Sequence, residues 1–359
     1  MIGLLACVPP QPLAETSIPT VAFEAGSSLN PDFRLQAAVE ELVAAATRPE
    51  ARLTPRAVRL ALARAGVAAN TSLFLDRDGA PLWSRVPRHV TGIATAERSF
   101  EAGNRLRVVA WTQSHRSLAE LPLLLAPENR IWMQVGGQGA LRLLVAGPWQ
   151  EEGDFLDPGP VTERRIESGI QEMLPAFTTP GEYRLELVDG ERVELLWSVF
   201  VGMAVPPPVP LPGPVVRGST EEAEDWIFSA LDRLRGRYGL PPLRRWPLLE
   251  PLLREQAGCL LDAGVVAHEA PGCPSMGERS TEAFYPRPRL HEDLATGDTP
   301  EEAWEQLMSS PGHVQNLLCR RCTAVSLATV RAPQGHQLLL IDLLEFPEGE
   351  PRKLREPAP

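Results

Sequence analysis

The chain is 359 residues long, with 43% hydrophobic and 23% charged residues, the balance of a folded protein and not of a disordered one. That length exceeds one ordinary core and fits two or three domains. A net charge of −11 and a pI near 5.2 repel a phosphate backbone, and no basic cluster offsets them, so nucleic acid is excluded as an expected partner.

The N-terminus reads Met1-Ile2-Gly3-Leu4-Leu5-Ala6-Cys7 and runs into a Pro-rich polar stretch. Leu-Leu-Ala-Cys resembles the lipobox of bacterial lipoproteins, which implies cleavage behind Ala6 and lipidation of Cys7. A signal peptide also carries a positive n-region and an apolar core of about 7 to 15 residues; both are cut short here, so the true start is expected upstream of Met1. An ordinary small apolar N-terminus is the alternative. Residues 1–28 are assigned to this truncated signal and a flexible tether. Leu195 to Val205 is the longest apolar run; it ends in prolines and falls short of the roughly 18 to 20 residues that span a bilayer.

Residues 29–125 read as a small α+β domain. An i, i+3, i+4 stripe of Leu35, Ala38, Val39, Leu42, Val43 and Ala46 predicts a first helix. Thr54 as N-cap, Pro55 at the first helical position and Gly66 at the left-handed C-terminal position bound a second. Runs rich in Leu, Val, Ile and Thr at 71–75, 89–95 and 105–112 predict strands. His89 and His115 lack a paired acid and read as surface residues.

Residues 126–204 are predicted all-β. Gly181 to Val188 alternates, Asp189-Gly190 turns the chain, and Val193 to Gly202 returns, a hairpin signature. With Ile131 to Val135 and Leu141 to Ala146, this predicts an immunoglobulin-like β-sandwich that buries one face of each sheet. Within residues 205–218, six prolines in the ten residues from Val205 to Pro214 predict a polyproline II spacer at a domain boundary.

Residues 219–347 hold the chemistry, and 348–359 form a C-terminal tail. Ser219 and Glu222 form a capping box ahead of an inner face of Trp226, Ile227, Ala230, Leu231 and Leu234. Leu248 to Leu261 is a second helix, and Met276 to Phe284 a short helical piece. His291-Glu292-Asp293-Leu294-Ala295-Thr296-Gly297 reads as an acidic loop. Thr299, Pro300 and Glu302 start a helix running to about residue 309. Ser310-Pro311-Gly312 ends it and leaves His313 at a turn before Val314 to Leu318. Strands follow at Thr323 to Val330 and Gln337 to Phe346. Four cysteines fall here: Cys259, Cys273, Cys319 and Cys322. An even number in one domain of an exported protein favours disulfides, with three connectivities open. Cys319-Arg320-Arg321-Cys322 also has the spacing of half a zinc site, with Cys259 and Cys273 as the other half.

Tyr238-Gly239-Leu240-Pro241-Pro242-Leu243, then His268, then Glu292 in Glu-Asp-Leu-Ala-x-Gly, then Ser310-Pro311-Gly312-His313 with Asn316-Leu317-Leu318, resemble the bacterial branch of the CAP superfamily, also called SCP-like (cysteine-rich secretory, antigen 5 and pathogenesis-related proteins). The resemblance covers 219–347 and implies a CAP-like α-β-α sandwich with a groove where His268, Glu292 and His313 converge. Asp293 stands where the family has Asn, Leu307 where it often has Trp, and Met308 and serines where many members have a second groove glutamate. Two imidazoles and one carboxylate make a candidate set for zinc or another divalent cation with a position open to water. The alternatives are a His313 that caps its turn, a Glu292 that anchors its loop and a half-buried, satisfied His268. Strand alternation would point His291 away from the groove. Ser310 lacks the orienting acid and oxyanion donors of a nucleophile, and no catalytic residue is assigned.

The expectation is a multidomain α+β protein, exported to the cell envelope and lipid-anchored or secreted. Its CAP-like domain would bind an envelope lipid, a wall component or a protein in the His/Glu groove, with membrane contact through the anchor only. A metal-dependent hydrolase using the same residues is the alternative, and a structural or adhesive module the second.

Overall fold

The computed structural model describes residues 32–47, 51–67, 70–76, 92–100, 105–113, 124–136, 139–152, 155–169, 171–174, 176–190, 192–209, 218–263, 266–283, 288–332 and 336–346. Cys7, the tether, His89, His115, the second half of the proline run and the C-terminal tail lie outside them. No helix among the described residues is long and apolar enough to cross a membrane.

Helix α1 (Phe33–Ala45) starts where the Asp32 carboxylate accepts from the amides of Arg34 and Leu35, which satisfies two donors that the first turn would leave bare. Helix α2 (Pro55–Arg64) starts where the Thr54 side chain accepts from Ala57 N. It is followed by Gly66 at φ +70°. Helix α1 lies over a three-stranded antiparallel sheet of β1 (Asn70–Asp76), β2 (Gly92–Ser99) and β3 (Arg105–Gln113), in the order β1-β3-β2, and α2 packs on α1.

The next strands are β4 (Leu124–Leu125), β5 (Trp132–Gln134), β6 (Ala140–Ala146), β7 (Gln150–Glu152), β8 (Phe155–Asp157), β9 (Val161–Glu167), β10 (Gln171–Met173), β11 (Gly181–Asp189) and β12 (Arg192–Val201). Five of them form one sheet, β4-β12-β11-β6-β9. Its apolar face, with Leu143, Leu185, Leu187, Leu195, Trp197 and Val199, packs on Ile131, Met133 and Leu174. Where the sequence predicts a sandwich of two sheets, this face meets the short β5–β10 ladder. The alternate face holds Glu182, Arg184, Glu186 and Ser198, and all four are largely withdrawn from water.

The last block contains α3 (Thr220–Arg237), β13 (Arg244–Arg245), α4 (Glu250–Ala263), α5 (Met276–Ala283), β14 (Arg289–Gly297), α6 (Pro300–Met308), α7 (Pro311–Leu317), β15 (Ala324–Arg331) and β16 (Gln337–Glu345). The sheet order is β13-β15-β16-β14, which leaves β14 on an edge. One face, with Ala295, Leu327, Leu339 and Ile341, packs under α3, α6 and α7. The other, with Leu290, Leu294, Ala328 and Leu340, packs under α4. Helix, sheet and helix thus make three layers. The predicted acidic loop at 291–297 is instead strand β14, paired with β16 so that Glu292 lies opposite Asp342. Its His, Glu and Asp depress strand propensity, and the strand forms because those side chains find buried partners. His313 belongs to the first turn of α7, which begins at Pro311, ahead of the predicted segment.

The polar face of the middle sheet meets α2 and α6. Arg59, 6% exposed, donates from Nε to Glu182 Oε1 at 3.0 Å and from Nη1 to Glu305 Oε1 at 3.2 Å, and lies over the Trp149 ring at 4.4 Å. One guanidinium therefore ties α2, β11 and α6. Burial alone would raise the Glu182 carboxyl, but Arg59, Arg184 and the Ser198 hydroxyl hold it below its ordinary value. Tyr238 Oη donates to Asp157 Oδ1 at 2.7 Å and Arg237 Nε to Asp157 Oδ2 at 3.1 Å, a second fastening between the middle and last blocks. The proline-rich segment joins two bodies in direct contact.

Removing one partner from a buried pair leaves the other charge uncompensated. Arg59→Ala takes from Glu305 the guanidinium it binds and leaves Glu182 to Arg184 and Ser198, so urea unfolding should show a loss of about 3–5 kcal/mol. A loss within about 1 kcal/mol, the worth of an exposed pair, would contradict a buried clamp.

Candidate functional site

Glu292 lies on the edge strand β14, and both of its carboxylate oxygens are engaged. Arg279, from α5, donates from Nη2 to Oε2, and Oε1 lies 3.0 Å from His268 Nδ1. Arg279 is placed by a reciprocal cap at the start of α5, where Glu278 N donates to Ser275 Oγ at 3.2 Å and Ser275 N to Glu278 Oε2 at 2.7 Å. His268 sits in the loop between α4 and α5, which the Cys259–Cys273 disulfide closes with a Cα–Cα distance of 5.7 Å. The His268 side chain is 52% exposed while that of Glu292 is 1% exposed, so a buried acid holds a half-exposed imidazole by one nitrogen and leaves Nε2 uncommitted.

Arg279 also faces Asp342, with Nη2 3.7 Å from Oδ2. One cation here serves two acids. Burial and then the Glu292 charge push Asp342 up to about 8, with Arg279 opposing. Asp293, on the opposite face of β14, is fully buried and accepts from Asn316 Nδ2 at 2.9 Å. Burial raises its carboxyl well above the ordinary value, against that hydrogen bond, and the charges of Glu292, Asp342 and Glu186 add to the rise. Glu292 is thus the acid that holds the guanidinium directly, and Asp342 faces it at 3.7 Å.

His313 is set by the start of α7. Its backbone N–H donates to Ser310 Oγ at 3.3 Å, and Ser310 Oγ in turn donates to Glu186 Oε2 at 2.5 Å. Gly312 N donates to the same oxygen at 3.3 Å. A Cβ on Gly312 would stand 2.6 Å from Glu186 Oε1, so a side chain there would displace this carboxylate. The Ser310 hydroxyl is committed both to the cap of α7 and to the buried Glu186 carboxylate from β11. The His313 ring is pushed down to about 4 by burial and then by the His268 charge, and its buried Nδ1 has no hydrogen-bond partner among the described residues.

The structure therefore pairs Glu292 with His268 directly and puts His313 within electrostatic reach of His268. Arg279, Asp342, Asn316 and Glu186 complete the surroundings, and the sequence reading missed all four. Asp342 carried a signal, a lone acid inside Leu-Leu-Leu-Ile-Asp-Leu-Leu. His291 projects to the opposite side, as alternation predicts, with Nε2 3.6 Å from Glu345 Oε2. Cys319 and Cys322 are bonded to each other, Cα–Cα 5.5 Å; with Cys259 bonded to Cys273, a four-cysteine zinc site is not formed.

A zinc-like ion does not fit His268, Glu292 and His313. Among the described residues, the group of three whose donor atoms all lie within 4.8 Å is His291, Cys319 and Cys322, and it contains none of them. Both Glu292 oxygens are already taken, one by a guanidinium that would repel a cation.

No family model matches the chain, and no curated protein matches it. Solved structures overlap parts of it. An outer surface protein from Borrelia burgdorferi shares 16% identity at a TM-score of 0.32, covering 37% of this chain and 98% of its own. An extracellular protein containing a SCP domain from Bacillus anthracis shares 12% at 0.32, with 60% of this chain and 82% of that one covered. A cysteine-rich secretory protein from Staphylococcus aureus shares 10% at 0.24, with 61% and 81% covered. These overlaps are slight and none establishes a family.

The raised Asp342 carboxyl has a consequence for stability. A group protonated up to about pH 8 when folded but only below about 3.9 when unfolded contributes stability that is full at low pH and lost as pH rises toward 8. The depressed His313 acts oppositely, but only below its unfolded value near 6.5. Between about pH 6.5 and 8 the acid dominates, so the melting temperature should fall, and Asp342→Asn should flatten that fall. Parallel slopes for wild type and variant would contradict the assignment.

Proposed function

We propose that this is an exported cell-envelope protein, lipid-anchored through Cys7 or secreted, whose CAP-like last block binds an envelope lipid, a wall component or a protein at His268, Glu292 and His313. The observation that carries the reading is the Arg279–Glu292–His268 chain beside His313. It presents one imidazole nitrogen at the surface and a neutral, unpartnered imidazole next to it. Two fixed imidazoles suit an uncharged polar group of a ligand, such as a hydroxyl, amide or carbonyl. Export is supported by the pairing of four cysteines into two disulfides, since such bonds persist in oxidising compartments.

The test compares the full-length protein with a His268→Ala/His313→Ala variant. The probes are vesicles of phosphatidylglycerol and phosphatidylethanolamine, soluble peptidoglycan fragments, and exported envelope proteins presented singly. Wild type should bind one of these, and loss of two hydrogen bonds should weaken that binding about tenfold or more. Equal binding by the two forms would remove these residues from the site. Zinc-dependent hydrolysis of peptide or wall substrates, lost in the variant, would favour the hydrolase instead.

A further inference from the structure

The end of α7 and strand β14 bring together a second set of donors, outside the His268 site. Cys319 and Cys322 flank two arginines, and His291 reaches them from β14. One donor atom from each of the three lies within 4.8 Å of the others. The His291 Nε2 is shielded from water and faces Glu345 Oε2 at 3.6 Å, and Cys322 is 1% exposed while Cys319 is half-buried. The backbone reaches the Cys319 sulfur of the disulfide, with Cys322 N donating to Sγ at 3.1 Å.

The sequence separation of the pair is 3, against 14 for Cys259 and Cys273. The stabilisation a disulfide provides by restricting the unfolded chain grows with loop length. The shorter bridge therefore constrains little, and the surrounding core of Leu317, Val325 and Leu343 holds the segment without it. Two cysteines separated by two residues and joined by one imidazole make a sulfur-rich, tetrahedral half-cage, which is the donor set for zinc or a similar thiophilic ion.

We propose that Cys319, Cys322 and His291 form a redox-gated metal site: closed as a disulfide, and open to a thiophilic divalent ion once the two sulfurs are reduced. The reductant is a thiol. Two thiol molecules are oxidised to one disulfide while the Cys319–Cys322 bond is cleaved and each sulfur takes a proton. The metal then displaces both protons and binds two thiolates and the neutral imidazole, with water in the fourth position.

The test uses the full chain and cobalt(II) as the probe. After anaerobic reduction and removal of the reductant, the protein should take up one equivalent with thiolate-to-cobalt charge-transfer absorption, and the oxidised protein should show none. Cys319→Ser should abolish this absorption. His291→Ala, which keeps both sulfurs, should weaken binding at least about tenfold. Cys259→Ser/Cys273→Ser should leave it unchanged. The proposal is overturned if the reduced protein binds no cobalt or loses its far-ultraviolet dichroism, if the absorption survives Cys319→Ser or His291→Ala undiminished, or if it disappears with Cys259→Ser/Cys273→Ser.

Discussion

A carboxylate on a sheet edge, 1% exposed, cannot remain ionised without a cation against it, and Arg279 supplies that cation to Glu292. Much of the site follows from this pair. Burial and the Glu292 charge outweigh what Arg279 offers Asp342 from 3.7 Å, so Asp342 keeps its proton to about pH 8. Glu292 Oε1 fixes the half-exposed His268 ring by Nδ1. His313 stands in the same field and gives up its proton at about 4. The result is one ion pair, one anchored imidazole and one neutral imidazole, held by α5, β14 and α7.

The position of α7 depends in turn on the middle sheet. Glu186 reaches from β11 to cap Ser310 and Gly312, and Arg59 binds α2 to β11 and α6. Burial raises Glu186 while the Ser310 hydroxyl and the Gly312 amide oppose that rise. The residues preceding the last block therefore act on the site by contact. A carboxylate from β11 lies beside the turn that carries His313, where the last block's own sequence offers Met308 and serines.

The local features were legible where local chemistry decides them. Thr54, Ser219 and Thr299 cap helices because a side-chain oxygen followed by an amphipathic stripe has few alternatives, and Asp189-Gly190 turns its hairpin with Gly190 at φ +63°. Charges buried by distant partners were not legible. The His-Glu-Asp run reads as a loop when water is its assumed partner, yet Arg279, Asn316 and β16 make it a strand. The polar face of β11 alternates like a solvated face, yet Arg59 and α7 cover it. His268, Glu292 and His313 were found through the family resemblance, since their spacing alone brings no two of them together.

Arg279 and His268 engage both Glu292 oxygens, and the proposal of an organic ligand in place of a metal ion rests on that engagement. Imidazole NMR of the oxidised full-length protein tests it most directly, by following the ring nitrogens of His268 and His313 as pH is lowered and one equivalent of zinc is added. The expected result is a His313 that stays neutral until about pH 4, a His268 hydrogen-bonded through Nδ1, and no shift of either ring with zinc. A stoichiometric zinc shift of both rings, or a His313 that protonates near the ordinary value of about 6.5, would contradict it.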